Sequence, residues 1–246
     1  MAPEFGYAFQ PIVDLDARCV VSYEALVRGP SGEPAARVFD AVPADRLHAF
    51  DQHSRGVAVA LASRLGLDCQ LNLNLLPQSL YRSPGAIVAT LDAARCAGLA
   101  LERIVIEISE AEMISDVPGF CARLDEYRGL GLKFAIDDFG AGYSGLNLLA
   151  AFQPDQVKID MNLVRGIDGH GPRQAIVRAI AQACLDLGID VVAEGVETLR
   201  ELDWFRDQDV QFFQGYLFAK PAFGTLPPAH FPSTPASPAD ARAAGG

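Results

Sequence analysis

Eight short apolar segments, most of them separated by stretches of helical period, restrict this 246-residue chain to an architecture of βα units. The strand candidates are Tyr7–Val13, Val20–Val27, Gln70–Leu75, Arg103–Ser109, Leu132–Asp137, Gln156–Asp160, Ile189–Glu194 and Gln211–Leu217. Helical period is clearest in Arg173–Leu187 and Thr198–Asp207. The first connection breaks the pattern. Only Asp14–Cys19 joins the first two strands, too little for a crossover helix, so these two form a hairpin and one strand runs antiparallel. The expected fold is a modified TIM-type (β/α)8 barrel, α/β in class, with one antiparallel strand at the start. One domain is expected over 1–226, followed by a flexible C-terminal tail, 227–246, rich in Pro, Ala, Ser and Gly.

Composition narrows the function classes. Half of the residues are hydrophobic, which excludes a disordered chain. The five cysteines are scattered and form no C-x-x-C pair, which suits reduced thiols better than a disulfide framework or a zinc site. No basic segment followed by an apolar stretch opens the chain, and no apolar run reaches transmembrane length. A cytoplasmic protein that does not enter a membrane is expected. The formal net charge of −11 argues against a nucleic acid polymer as partner. A phosphorylated substrate remains compatible where bound cations supply the positive charge.

Strand alternation locates the chemistry. In Ile104–Ile108 the isoleucines take one face and Glu107 the other, and in Leu71–Leu75 the leucines oppose Asn72 and Asn74. Phe134 and Ile136 oppose Ala135 and Asp137; Val157 and Ile159 oppose Lys158 and Asp160; Val191 and Ala193 oppose Val192 and Glu194. In a barrel the all-apolar face packs on the helices and the mixed face points inward. Glu107, Asp137 and Glu194 lie near the C-terminal ends of their strands, with Glu24, Asn74 and Lys158 in comparable places. That rim is where (β/α)8 enzymes gather catalytic groups.

Five carboxylates (Glu24, Glu107, Asp137, Asp138, Glu194) cannot all ionise together in a cleft without compensation. Oxygen-rich sites of this kind select hard cations such as Mg²⁺ or Mn²⁺. So many acids point to two ions roughly 3.5–4 Å apart, the spacing used to split phosphodiesters. Adjacent Asp137 and Asp138 cannot both face inward from a straight strand. The first is expected to close the strand and the second to sit in the following loop, made deformable by Gly140 and Gly142.

These residues stand in a set of strings: FQPIVD (9–14), YEALVR (23–28), LNLLP (73–77), EISE (107–110), DDFGAGYS (137–144), KID (158–160), AEGVE (193–197) and QGY (214–216). In content and order, over about residues 7 to 223, they resemble the EAL domains that hydrolyse cyclic di-GMP. The wording YEALVRGPSGEP, with NLLP after Asn74, is most similar to EAL domains fused to blue-light flavin sensors; no such sensor is present in this chain.

The resemblance implies that Glu24, Asn74, Glu107 and Asp137 hold a first metal ion. Asp137 bridges to a second, completed by Asp138 and Glu194. It implies that Lys158 holds the attacking water and offsets charge on the phosphorane, and that Gln214 positions the water or the ligands. Gln10 and Arg28 match substrate-contacting positions, and Asp51 a guanine-edge contact. Glu110 matches a glutamate that organises the Asp138–Ser144 loop, which the family links to dimer contacts. The implied partners are cyclic di-GMP, a second copy of the chain, and a sensory domain supplied in trans. The implied product is linear 5′-pGpG, made with Mg²⁺ or Mn²⁺ and inhibited by Ca²⁺. Ala141 stands where Thr is usual and Gly145 where Ser is usual, both in the loop.

Plainer readings stand beside these. Asn72 lies deeper and suits a core hydrogen-bonding role. Asp160 can pair with Lys158 or a loop amide, Arg28 can form a surface salt bridge, Asp51 can begin a helix, and Glu197 can cap one. The histidines fall outside the rim segments, so a histidine base or zinc site is not expected. Two rival functions remain: a cyclic di-GMP receptor without catalysis, and a barrel glycosidase using paired acids. The glycosidase leaves Asn74, Asp137, Asp138 and Lys158 without roles.

Overall fold

A computed structural model describes residues 3–82, 85–110, 114, 116–142 and 145–232. Its strands are β1 (Gly6–Asp14), β2 (Cys19–Arg28), β3 (Gln70–Leu75), β4 (Ile104–Ser109), β5 (Lys133–Phe139), β6 (Gln156–Ile159), β7 (Asp190–Ala193), β8 (Phe212–Phe213) and β9 (Ala222–Phe223). The helices are α1 (Ala35–Asp40), α2 (Leu47–Arg64), α3 (Pro77–Arg82), α4 (Val88–Ala97), α5 (Val117–Arg128), α6 (Gly145–Ala151), α7 (Met161–Val164), α8 (Gly171–Leu187) and α9 (Leu199–Arg206).

Strands β2 to β8 follow one another in parallel, and β1 closes the barrel by pairing antiparallel with both β8 and β2. The short connection forces this arrangement: Asp14 folds back on the turn, accepting a hydrogen bond from the Ala17 amide at 2.8 Å. β9 pairs antiparallel with β1 and has no counterpart among the expected strands. It is two residues long, below the length at which a pattern can be read.

The apolar strand faces meet the helical layer as alternation requires. Ile104, Ile106 and Ile108 are fully buried, and the Phe134 ring packs edge-on against Phe152 beyond α6, 5.7 Å between centroids. The helices end where their sequences dictate. Thr198 and Glu201 form a capping box on α9, and Gly98 and Gly188 close α4 and α8 in the left-handed conformation.

Two expected boundaries move. The segment read as Gln211–Leu217 keeps only Phe212–Phe213 in the sheet. Beyond it, Gly215 lies too close to the Val196 backbone to carry a Cβ, and residues 214–217 bond to the loop after β7 instead. At the other end, Pro227 accepts from the Tyr23 hydroxyl at 2.9 Å, His230 donates to Phe218 O at 2.8 Å, and Phe231 packs on Phe218. Residues 227–232 therefore sit against the barrel, and 233–246 lie outside the described residues. Among the described residues no helix is long and apolar enough to cross a membrane.

Candidate active site

The hairpin sets Gln10 opposite Glu24, and the parallel register sets Asn74 beside Glu107 on β3 and β4. With Asp137 from β5, Lys158 from β6, and Glu194 and Gln214 just past β7 and β8, these side chains meet at one mouth of the barrel. The strand-end residues singled out by alternation are thus brought together.

Lys158 lies at their centre, fully buried. Its Nζ is 2.6 Å from Glu194 Oε1, 2.8 Å from Glu107 Oε1, 2.9 Å from Asp137 Oδ1 and 3.3 Å from Glu24 Oε2. An ammonium has three protons for these four acceptors. Asp137 Oδ1 receives no aligned hydrogen bond despite its proximity, and Glu107 Oε2 is likewise buried without a donor. Glu24 is better served, accepting from Gln214 Nε2 at 2.7 Å and Asn74 Nδ2 at 3.1 Å. Asn72 fills the plainer role, donating to Glu107 Oε1 at 2.8 Å and accepting from Ser22. Asp160 accepts from the Asn162 amide at 2.9 Å and caps α7.

Burial and mutual repulsion set the protonation. Desolvation dominates at Glu107 and Glu194 and raises both well above the usual carboxylate range, against the pull of Lys158. Asp138 is pushed up to about 6, first by burial and then by the Asp137 and Asp160 charges. At Glu24 burial is the largest influence, yet Lys158 and the bonds from Gln214 and Asn74 together outweigh it and lower the pKa. At Lys158 burial disfavours the charge, but Asp137, Glu107, Glu194 and Glu24 hold the ammonium well above its ordinary pKa.

Asp138 departs from expectation. β5 does not close at Asp137 but runs on to Phe139, and its register against β6 shifts between Ile136 and Phe139. Asp138 takes a positive φ of 54°, a conformation that aspartate tolerates better than most residues. The bulge turns both neighbouring acids to the same mouth.

The carboxylates fall into two groups whose oxygens lie within 4.8 Å of one another: Glu24, Glu107 and Asp137; and Asp137, Asp138 and Glu194. Asp137 belongs to both. Fully ionised, five carboxylates against one ammonium leave a formal −4, which two divalent cations balance. The orphaned oxygens of Glu107 and Asp137 and the hard-oxygen donor set fit such ions.

Two cavities flank the cluster, sharing Glu24 and Asp137. One, about 230 Å³, is lined also by Gln10, Arg165, Glu197, Gln214 and Tyr216. The other, about 340 Å³, is lined mostly by apolar side chains with Asp51, Ser54, Arg55 and Asn74. Gln10 is tied to Ala219 O at 3.1 Å and to Gln214 at 3.3 Å. Arg28 donates to the adjacent Val27 carbonyl at 2.8 Å and lines neither cavity. Asp51 does not begin a helix: it sits inside α2 in a buried ion pair with Arg55 at 2.6 Å. Glu197 pairs with Arg165 across the smaller cavity, while Thr198 and Glu201 cap α9.

Glu110 spans the loop after β5, accepting from the Gly140 and Gly145 amides at 2.7 Å each. A Cβ on Gly145 would lie 2.7 Å from the Glu110 carboxyl carbon and 2.8 Å from the Phe139 ring, so glycine here permits the clamp. Residues 143 and 144 of that loop lie outside the described residues.

The sequence pattern of the EAL domain matches residues 2–221. The blue light- and temperature-regulated antirepressor BluF of Escherichia coli is 36% identical over 227 residues, covering 92% of this chain and 56% of that protein. A standalone versatile EAL protein from Vibrio cholerae, solved in its c-di-GMP bound form, superposes with a TM-score of 0.89 at 43% identity, covering 94% of this chain and 97% of that one. BlrP1 of Klebsiella pneumoniae, solved as a manganese/cy-diGMP complex, gives 0.85 at 45% identity over 89% of this chain and 56% of that one. The chain spans about half the length, or less, of the first curated relatives it matches. Extent of match, barrel topology and the order of the rim residues agree: the chain belongs to the EAL domain family.

Proposed function

We propose that this chain is a cyclic di-GMP phosphodiesterase that opens one phosphodiester with two divalent ions, Mg²⁺ or Mn²⁺, and leaves linear 5′-pGpG. The observation that carries the reading is the pair of carboxylate triplets sharing Asp137 around Lys158. Glu24, Asn74, Glu107 and Asp137 would hold one ion, and Asp137, Asp138 and Glu194 the other. Bound there, the ions lower the pKa of the attacking water and stabilise the entering and leaving oxygens. Lys158 Nζ, kept protonated by its four carboxylates, donates toward the water and the charge gathering on phosphorus. Gln214 fixes Glu24 through its bond to Oε2. The water oxygen bonds to phosphorus in line with the breaking P–O3′ bond; its proton passes to a carboxylate of the cluster, and the released 3′ oxygen takes up a proton in exchange. The cavities on either side of the acids give room for the two halves of a cyclic dinucleotide, with Gln10 on the wall of the smaller one as a substrate contact; Arg28, outside both walls, would have to swing from the Val27 carbonyl to reach the substrate.

The same reading places the protein in the cytoplasm, as a symmetric dimer whose Glu110-held loop lies near the contact, with a sensory domain in trans. The antirepressor name of BluF favours a second reading, in which the barrel engages a partner without turnover. Incubation of purified protein with cyclic di-GMP and Mg²⁺ or Mn²⁺, followed by chromatography, separates the two. Accumulation of pGpG is expected; tight binding without product would favour the second. Ca²⁺, larger and looser in geometry, is expected to allow binding with little turnover, and brisk Ca²⁺-driven hydrolysis would contradict this.

A further inference from the structure

Arg55 is among the largest fully buried side chains, and it lines the larger cavity together with Glu24 and Asp137. From α2 its guanidinium reaches three segments. Nη1 is 2.6 Å from Asp51 Oδ2 and 3.4 Å from the Asn74 carbonyl, and Nη2 donates to the Ala86 carbonyl at 2.5 Å. Asp51 Oδ2 also accepts from the Ser79 hydroxyl at 2.9 Å, and that hydroxyl lies 3.0 Å from His48 Nδ1. One fork thus joins α2, the end of β3 and the approach to α4, and its counter-ion joins α3.

Neutralising Asp51 alone would not require this geometry. A lysine four residues on could do so, whereas only a planar fork meets a carboxylate and two carbonyls on separate segments. The segment it holds needs holding. Asn74 is the next-to-last residue of β3, its side chain is exposed at the barrel mouth, and its amide bonds Glu24 Oε1 at a long 3.1 Å.

Resting on the two-ion reading above, we infer that Arg55, with Asp51 as its anchor, is a positioning residue that fixes the Asn74 peptide so that the Asn74 side chain meets the ion shared with Glu24 and Glu107. Side chains that orient metal ligands affect affinity on the order of tenfold or more.

The test is Mn²⁺ titration of the whole chain by calorimetry, without substrate, for the wild type, Arg55→Lys and Ser79→Ala. Arg55→Lys keeps the charge and loses the fork. Affinity at one of two sites should fall on the order of tenfold while the other site holds and the circular dichroism spectrum is unchanged. Ser79→Ala, which frees one bond to Asp51, should weaken the same site less, and it carries the test should Arg55→Lys not fold. Wild-type affinity at both sites in a folded variant overturns the inference, as does equal weakening of both sites with a lowered Tm. A wild-type chain that binds no Mn²⁺ overturns the proposed function itself and this role with it.

Discussion

Lys158 occupies the place where charge balance demands a cation, ringed by four carboxylates that outnumber its protons. Lys158→Ala should lower kcat by roughly 10²–10³-fold, the range seen when one donor to a developing oxyanion is removed. KM should change little, because the walls of both cavities stay in place; steady-state kinetics on cyclic di-GMP reads both. A kcat near wild type would contradict the role. Gly145 makes a second case. Adding a hydroxymethyl group by Gly145→Ser forces the Glu110 carboxylate or the Phe139 ring aside. The expected cost is about 1–3 kcal/mol in denaturant unfolding, typical of overpacking. No loss of stability would show that the clamp gives way easily.

Strands were the most legible elements, and the reason is their period. Two residues per repeat told Ile104, Ile106 and Ile108 from Glu107 without any long-range information, and the same rule found Asn74 and Lys158. The rule assumes a straight strand, so it failed at Asp138, where a bulge sends consecutive side chains to one side. It could not see β9 at two residues. Helical spacing is silent on burial. Asp51 and Arg55, four apart, form a pattern typical of a solvated helix face, and only packing against β3 and residue 86 makes the pair a buried strut. The β5 bulge also has a consequence in solution. Asp138, near 3.8 when unfolded, holds its proton to about 6 in the folded protein. The folded state then carries more protons than the unfolded one between about pH 4 and 6, so this group lowers metal-free stability as pH rises through that window. Glu107 and Glu194, also raised well above the usual carboxylate range by burial, add to the same trend. Ions at the mouth must displace those protons. The rise in Tm on adding Mn²⁺ should therefore be larger at about pH 8 than at about pH 6. Thermal melts with and without the metal read it, and a larger rise at the lower pH would contradict the scheme.

Across the whole molecule, five acids meet at one end of a barrel whose strands otherwise bury mostly apolar side chains. Eight strands from distant parts of the sequence converge there: the hairpin that reverses β1 sets Gln10 opposite Glu24, and the closure of β1 on β8 brings Gln214 to both. The barrel closes the acids into a low-dielectric mouth where they cannot all stay charged without counter-ions. The most direct measurement is anomalous X-ray diffraction from crystals grown with Mn²⁺. Two peaks are expected on either side of the Asp137 carboxylate, roughly 3.5–4 Å apart. A single peak, or manganese elsewhere with Lys158 still bridging all four carboxylates, would contradict a two-ion site.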